Sequence, residues 1–295
     1  MNDPNQYQSQ FGFPEEWANF DRRHPQWRDC LMNIMKAIDL AFTRMLERTP
    51  DKSPENDKFI YMYGRMCVED FTEILLVVGN GYGVAAMKLL RSFYEHTITL
   101  HYLSEHPDEI QKFANFYHVQ NYKLMKSVAK TFEGIFAYPP EKLEKARQKS
   151  KEVEKQFMVK TCREKGCTCT HEHVNHTWSK LDFVSMTGQV GELGRMVSAA
   201  YVYPLRHAHS TWAGMAERVE AGESHMTFQH DNNPDTGEQA LMMAHQCLLD
   251  VLGVQVVWFK LIKLGEQLHT CHDDFAKVWS PDLLARLEAE QAATK

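Results

Sequence analysis

The sequence predicts an all-α protein, an antiparallel multi-helix bundle interrupted by one Cys/His-rich loop. Three observations predict it. Apolar residues recur at spacings of three and four along most of the chain. Clusters of Pro, Gly and Asn punctuate the periodic stretches. No run alternates apolar and polar residues over the length of a sheet-building strand. With 295 residues, 43% hydrophobic and 24% charged, the chain can bury a sizeable core.

The elements follow in order. Leu31, Ile34, Ile38, Ala41 and Met45 share one face of a first helix over about 25–48. Ser53-Pro54-Glu55 reads as N-cap, N1 proline and early acid, opening a second helix to about residue 78. Gly79-Asn80-Gly81-Tyr82-Gly83 supplies a turn, and a third helix over 84–105 stops before Pro107. Pro107 opens a fourth helix through about residue 130, and Pro139-Pro140 a fifth over 141–160. The pattern fails over 161–177, which reads as a loop or short hairpin. Helices resume over 191–200 and 203–220, a loop spans 222–237, one long apolar helix covers 238–268, and a short one starts at Pro281. The expected organisation is a polar N-terminal segment (1–23), a single helical domain (24–270, with 161–177 as its insertion) and a C-terminal helical tail (271–295).

A net charge of −6 argues against a protein that coats nucleic acid over its whole surface and leaves room for a local basic patch. Residues 1–13 lack the apolar core of a signal peptide and the Arg-rich character of a transit peptide. The most apolar runs, 74–90 and 251–264, are broken by Asn80, Lys88, Gln255, Lys260 and Lys263. Neither reaches the ~20 apolar residues of a membrane span. No membrane association and a cytoplasmic location are therefore expected. Seven cysteines in such a chain are expected as free thiols or metal ligands rather than disulfides.

Several groups of residues have chemical potential. Arg91 starts from a face that is at least half apolar and needs a partner, which Glu95 at i+4 can supply as a structural ion pair. Arg91 and His96 together offer a cation for a phosphorane and an imidazole that moves protons near neutral pH. Five residues apart on a straight helix they differ by about 140° in direction, so convergence needs distortion or a second subunit. Farther on, Tyr201-x-Tyr203-Pro204-Leu205-Arg206-His207-Ala208-His209 places Arg206 and His209 on one helical face, suited to an anion, with His207 pointing away. The alternative is an exposed polar helix start. In an extended 161–177 segment, Cys167, Cys169, His171 and His173 share a face, and with Cys162 and His176 they can give tetrahedral Zn²⁺, a closed structural site. A redox-responsive thiol cluster and an ordinary polar loop are the competing explanations. Residues 141–165 hold nine Lys or Arg and five Glu, either a guide for a polyanion or a solvated helix with i,i+4 pairs.

Two resemblances add to these readings. Arg91 with His96 resembles the Arg-x4-6-His motif of the HEPN superfamily. That implies a metal-independent ribonuclease of a bacterial defence or toxin system, acting on RNA at a site shared across a homo-dimer. More of the chain, about 57–264, resembles a bacterial all-helical family of unknown function. The resemblance rests on Arg91-Ser92-x-x-Glu95, Tyr102-Leu103, Pro107-Asp108-Glu109, Trp178-Ser179 and Tyr201-x-Tyr203 leading to His209-Ser210. It implies a polar cluster of Arg91, Glu95, Tyr203 and His209 between helices. Arg206 departs from that pattern where Ser is commoner, and His207 is an extra imidazole. Two functions are thus expected to compete: a metal-independent endoribonuclease using Arg91 and His96 or Arg206 and His209, and a non-enzymatic binding or regulatory module with a structural zinc loop.

Overall fold

The structure, a computed structural model, describes residues 15–42, 55–133, 135, 137–160, 172–209, 211–222, 225–228 and 234–280. Its helices are α1 Glu16–Arg23, α2 Trp27–Phe42, α3 Glu55–Gly79, α4 Gly83–Glu105, α5 Ile110–Thr131, α6 Pro140–Glu154, α7 Phe183–Thr187, α8 Tyr203–Ala208, α9 Trp212–Ala216, α10 Pro234–Phe259 and α11 Ile262–Trp279. Two three-residue ribbons join them: β1 Met158–Lys160 with β2 Glu172–Val174, and β3 Val219–Ala221 with β4 Met226–Phe228. The protein is an all-α multi-helix bundle, as expected. Its ribbons are too short to leave an alternating pattern in the sequence. The chain forms two compact units, one of Met1–Ser104 with Thr187–Lys295 and one of Glu105–Met186.

In the first unit α10 packs on α3, on α11 and on α2, and α11 packs on α2. The turn after α3 is a C-cap in which Gly81 takes φ 81°, its N–H donates to Val78 O, and the Tyr82 N–H donates to Val77 O. The chain thereby reverses into α4. Asp70 and Tyr63 on α3 then face His96 on α4, residues nearly equidistant from the turn, as antiparallel neighbours must be. Leu90, Phe93, Tyr94, Ile98, Leu100 and Leu103 of α4 are fully enclosed. Burial at these successive spacings, on more than one side of the helix, makes α4 a central element.

The long apolar helix expected over 238–268 is two helices. Lys260 adopts φ 54°, and the Leu261 N–H donates back to Val256 O at 3.1 Å, the capping pattern that glycine usually serves. No glycine stands at 260, so the break left no signal. An 18-residue window of α10 has mean hydropathy 1.5, enough by length and composition to cross a membrane, and 61% of that window is buried inside the bundle. Several polar groups within this core find partners, although the buried Gln255 Oε1 has none among the described residues. Gln255 donates to Ile60 O at 3.1 Å, and Gly64 leaves the space its amide occupies. Trp279 donates to His245 Nδ1 at 3.1 Å, while His245 Nε2 lies 4.0 Å from Cys30 Sγ.

Residues 187–218 also differ from expectation. Instead of two regular helices they form a 3-10 helix at Gly191–Met196, a π-helical turn at Ser198–Val202, then α8 and α9. Gly191 takes φ 50°, and Gly194 sits so close to Thr187 O that a Cβ would lie 1.9 Å from it. These close approaches tighten the segment against regular winding.

In the second unit the fifth expected helix ends early, at Glu154, because residues 158–160 leave it to form β1. Asn115 on α5 donates to Gln156 at 3.2 Å, while residues 117–125 face 142–149, so α5 and α6 run antiparallel. Phe116, Val119 and Phe157 form the core, with Val153, Val174 and Trp178 packed against it.

Candidate functional site

The strongest candidate site lies in the first unit, where residues 187–218 run back along α4. Going up α4, Lys88 meets residues 206–218, Arg91 meets Tyr201, and Tyr94 donates to Leu193 O at 2.9 Å. A cleft of about 200 Å³ opens at the α4 N-terminal end, lined by Val84 and Lys88 of α4 and by Arg206, His207, His209, Gly214, Arg218 and Phe228 among others.

Local bonding explains why these side chains converge. α8 ends at Ala208, and His209 turns extended at φ −111°, ψ 156°. The Thr211 hydroxyl donates to Arg206 O at 3.0 Å and accepts from Gly214 N at 3.1 Å, capping α9 and folding it back over α8. Gly214 permits this, since a Cβ there would sit 2.2 Å from Arg206 O. Because the helix breaks before His209, the expected separation of His207 from Arg206 and His209 is lost, and all three line one cleft. The β3–β4 ribbon pairs Val219 with Phe228, and the Arg218 guanidinium lies 5.7 Å from the Phe228 ring.

The cleft is cationic. Lys88, Arg206 and Arg218 line it, and among the described residues no carboxylate does. Glu217 stands at its edge, 3.3 Å from Arg206 and 3.5 Å from His207 Nε2. The Arg206 pair is well exposed and contributes little to stability. The His207 side chain is only 4% exposed, and its contact with Glu217 is electrostatic, since neither ring nitrogen has a hydrogen-bond partner among the described residues. Burial holds the His207 pKa below the usual histidine range, Glu217 opposes that, and Arg218, Lys88 and Arg206 reinforce it. These influences together favour the neutral imidazole of His207. The Tyr203 ring meets it edge to face at 5.3 Å and also carries Arg206 at 5.7 Å.

The other expected residues separate. Arg91 pairs with Glu95 at 3.0 Å and lies 5.0 Å from the centre of the Tyr201 ring, to whose hydroxyl it donates at 3.4 Å. His96 turns to the opposite neighbour, with Nδ1 2.8 Å from Asp70 Oδ2 and its ring edge-on to Tyr63. Within one chain, Arg91 and His96 do not converge, in keeping with their angular separation. The expected cluster of Arg91, Glu95, Tyr203 and His209 is likewise divided. Arg91, paired with Glu95, meets Tyr201, while Tyr203 and His209 belong to the cleft region. Lys88, Arg218 and Glu217 escaped sequence reasoning. Lys88 shares a helical face with Arg91 at i+3, a usable signal, whereas nothing local marks Arg218.

In the second unit, His173 and His176 have ring centres 6.1 Å apart. Cys162, Cys167, Cys169 and His171 lie outside the described residues. Among the described residues, no three His, Cys, Asp or Glu side chains assemble as metal ligands. Cys30, Cys67, Cys247 and Cys271 are free and buried, and burial raises the Cys30 thiol to about 12 and Cys271 to about 11. They are weak nucleophiles.

This is a helical bundle with a cationic, histidine-lined cleft. The chain belongs to a family of unknown function, DUF5677, whose pattern matches residues 58–226, from within α3 to the first residue of β4. The match starts where the expected resemblance starts and ends before α10. No curated protein and no solved structure matches the chain. Several residues behind the expected resemblance have structural duties: Tyr102 and Leu103 are buried, Trp178 packs on the core of the second unit, and Ser179 is buried and caps Leu181 N.

Proposed function

We propose that the cleft binds a phosphodiester of RNA and cleaves it without a metal ion. The observation that carries this reading is His207, enclosed and without a hydrogen-bond partner among the described residues, in a pocket lined by three cations. A buried polar group in that state is costly and is relieved by a ligand that completes its bonding. Lys88, Arg206 and Arg218 would hold the phosphate and stabilise the dianionic phosphorane. His207 would accept the proton of the 2′-hydroxyl as that oxygen attacks phosphorus. His209 would donate a proton to the departing 5′-oxygen, leaving a 2′,3′-cyclic phosphate and a 5′-hydroxyl. Of the two residue pairs expected from the sequence, this reading selects Arg206 with His209, because they share a cleft.

The test is cleavage of a single-stranded RNA in EDTA. His209→Ala and Arg206→Ala should each reduce the rate about a hundredfold or more, while His96→Ala stays near wild type. A His96→Ala variant that loses activity while His209→Ala keeps it would refute the assignment.

A second reading, a binding module with a structural Zn²⁺ site, is favoured by the β1–β2 ribbon, whose register pairs Lys160 with Glu172 on either side of residues 161–171, which hold Cys162, Cys167, Cys169 and His171. It predicts about one zinc per chain by elemental analysis and a lower melting temperature with a chelator. A metal-free protein of unchanged stability excludes it.

A further inference from the structure

We infer that the groove between α5 and α6 binds the backbone of a single-stranded polynucleotide. This goes beyond the cleft reading and rests on other residues, all in the Glu105–Met186 unit. The groove, of about 180 Å³, is lined by Tyr117, His118, Asn121 and Met125 on α5 and by Lys142, Lys145 and Lys149 on α6.

Three features identify the ligand. First, the charge is uncompensated. Among the described residues no carboxylate lines the groove and no ion pair involves these three lysines; Lys142 Nζ lies 6.0 Å from the centre of the Tyr138 ring. Glu144, the acid placed among them in sequence, is taken by Arg147 at 2.7 and 2.8 Å and by Gln148 at 3.1 Å. The interleaved glutamate therefore does not neutralise the stripe. Second, the spacing i, i+3, i+7 sets the lysines along one face over a rise of about 10 Å, roughly three nucleotides of a stacked strand. Third, Tyr117 is 60% exposed opposite the lysines, with the His118 ring 5.5 Å from its own. Aromatic rings facing a cationic track form a stacking platform for bases without a sequence code. A purely electrostatic partner such as an acidic peptide has no use for that platform.

The experiment is fluorescence anisotropy with labelled twelve-nucleotide RNA and DNA, using the full chain at several salt concentrations. The triple variant Lys142→Gln/Lys145→Gln/Lys149→Gln changes only exposed residues, and circular dichroism verifies its fold. It should bind at least about tenfold more weakly, and the slope of log affinity against log salt should fall by about 2. Tyr117→Ala should weaken binding about fivefold or more without changing that slope. RNA and DNA binding alike supports a backbone-and-stacking site, and preference for RNA adds a contact to the 2′-hydroxyl. No wild-type binding, an affinity of the triple variant within about twofold of wild type, or equal displacement by polyglutamate overturns the inference. At saturating RNA the triple variant should keep the metal-free cleavage that Arg206→Ala loses, so the groove fails on affinity and the cleft on cleavage, each separately.

Discussion

His207 is buried with neither ring nitrogen hydrogen-bonded among the described residues, and opposing influences act on its proton. Burial and three cations favour the neutral ring, and Glu217 favours the charged one. The folded pKa thus lies below the unfolded value, so this group's contribution to stability is present above about pH 6.5 and is lost as pH falls toward the folded pKa. Glu217→Gln removes the one influence that raises the pKa. Its His207 should titrate at still lower pH in a proton NMR titration, and an unchanged or higher midpoint would refute the role given to Glu217. Sequence spacing alone suggested an anion site at Arg206 and His209. It assigned His207 to the other side because helical periodicity was extended past Ala208, where the chain leaves the helix.

Element boundaries were legible wherever glycine or proline makes them, and obscure elsewhere. Gly81 announced the α3–α4 reversal, and Pro107 the stop after α4. The α10–α11 break was hidden because Lys260 occupies the left-handed position that glycine normally fills. A non-glycine residue there costs about 1 kcal/mol. Lys260→Gly should therefore stabilise the protein by up to about 1 kcal/mol in urea unfolding, with the gain reduced by glycine's greater unfolded-state entropy. Destabilisation by a similar amount would mean that the Lys260 side chain contributes more than its backbone costs. The irregular 187–218 segment was likewise illegible. Its winding depends on Gly194 meeting Thr187 O and Gly214 meeting Arg206 O, contacts between residues seven or eight apart that no periodicity records.

Across the whole molecule, apolar periodicity predicted the all-α bundle correctly, while the cleft's composition depended on tertiary structure, since Lys88 and Arg218 are 130 residues apart in sequence. The core also sets the acid limit of the fold. His245 is buried between Trp279 and Cys30, and desolvation lowers its pKa to about 3. The unfolded chain binds that proton near pH 6.5, so stability is full above that value and declines as pH drops from 6.5 toward 3. His245→Asn, which keeps an acceptor for Trp279, should flatten this part of a melting-temperature profile, and an equally steep decline would show that other groups set it. The central claim is that the cleft performs metal-free acid–base chemistry on RNA. The most direct measurement is end-group analysis of RNA incubated with the protein in EDTA. The expected products carry 2′,3′-cyclic phosphate and 5′-hydroxyl ends, and they disappear with His207→Ala and with His209→Ala. Intact RNA with the wild-type protein, products that form only when metal is added, or undiminished cleavage by both variants would contradict it.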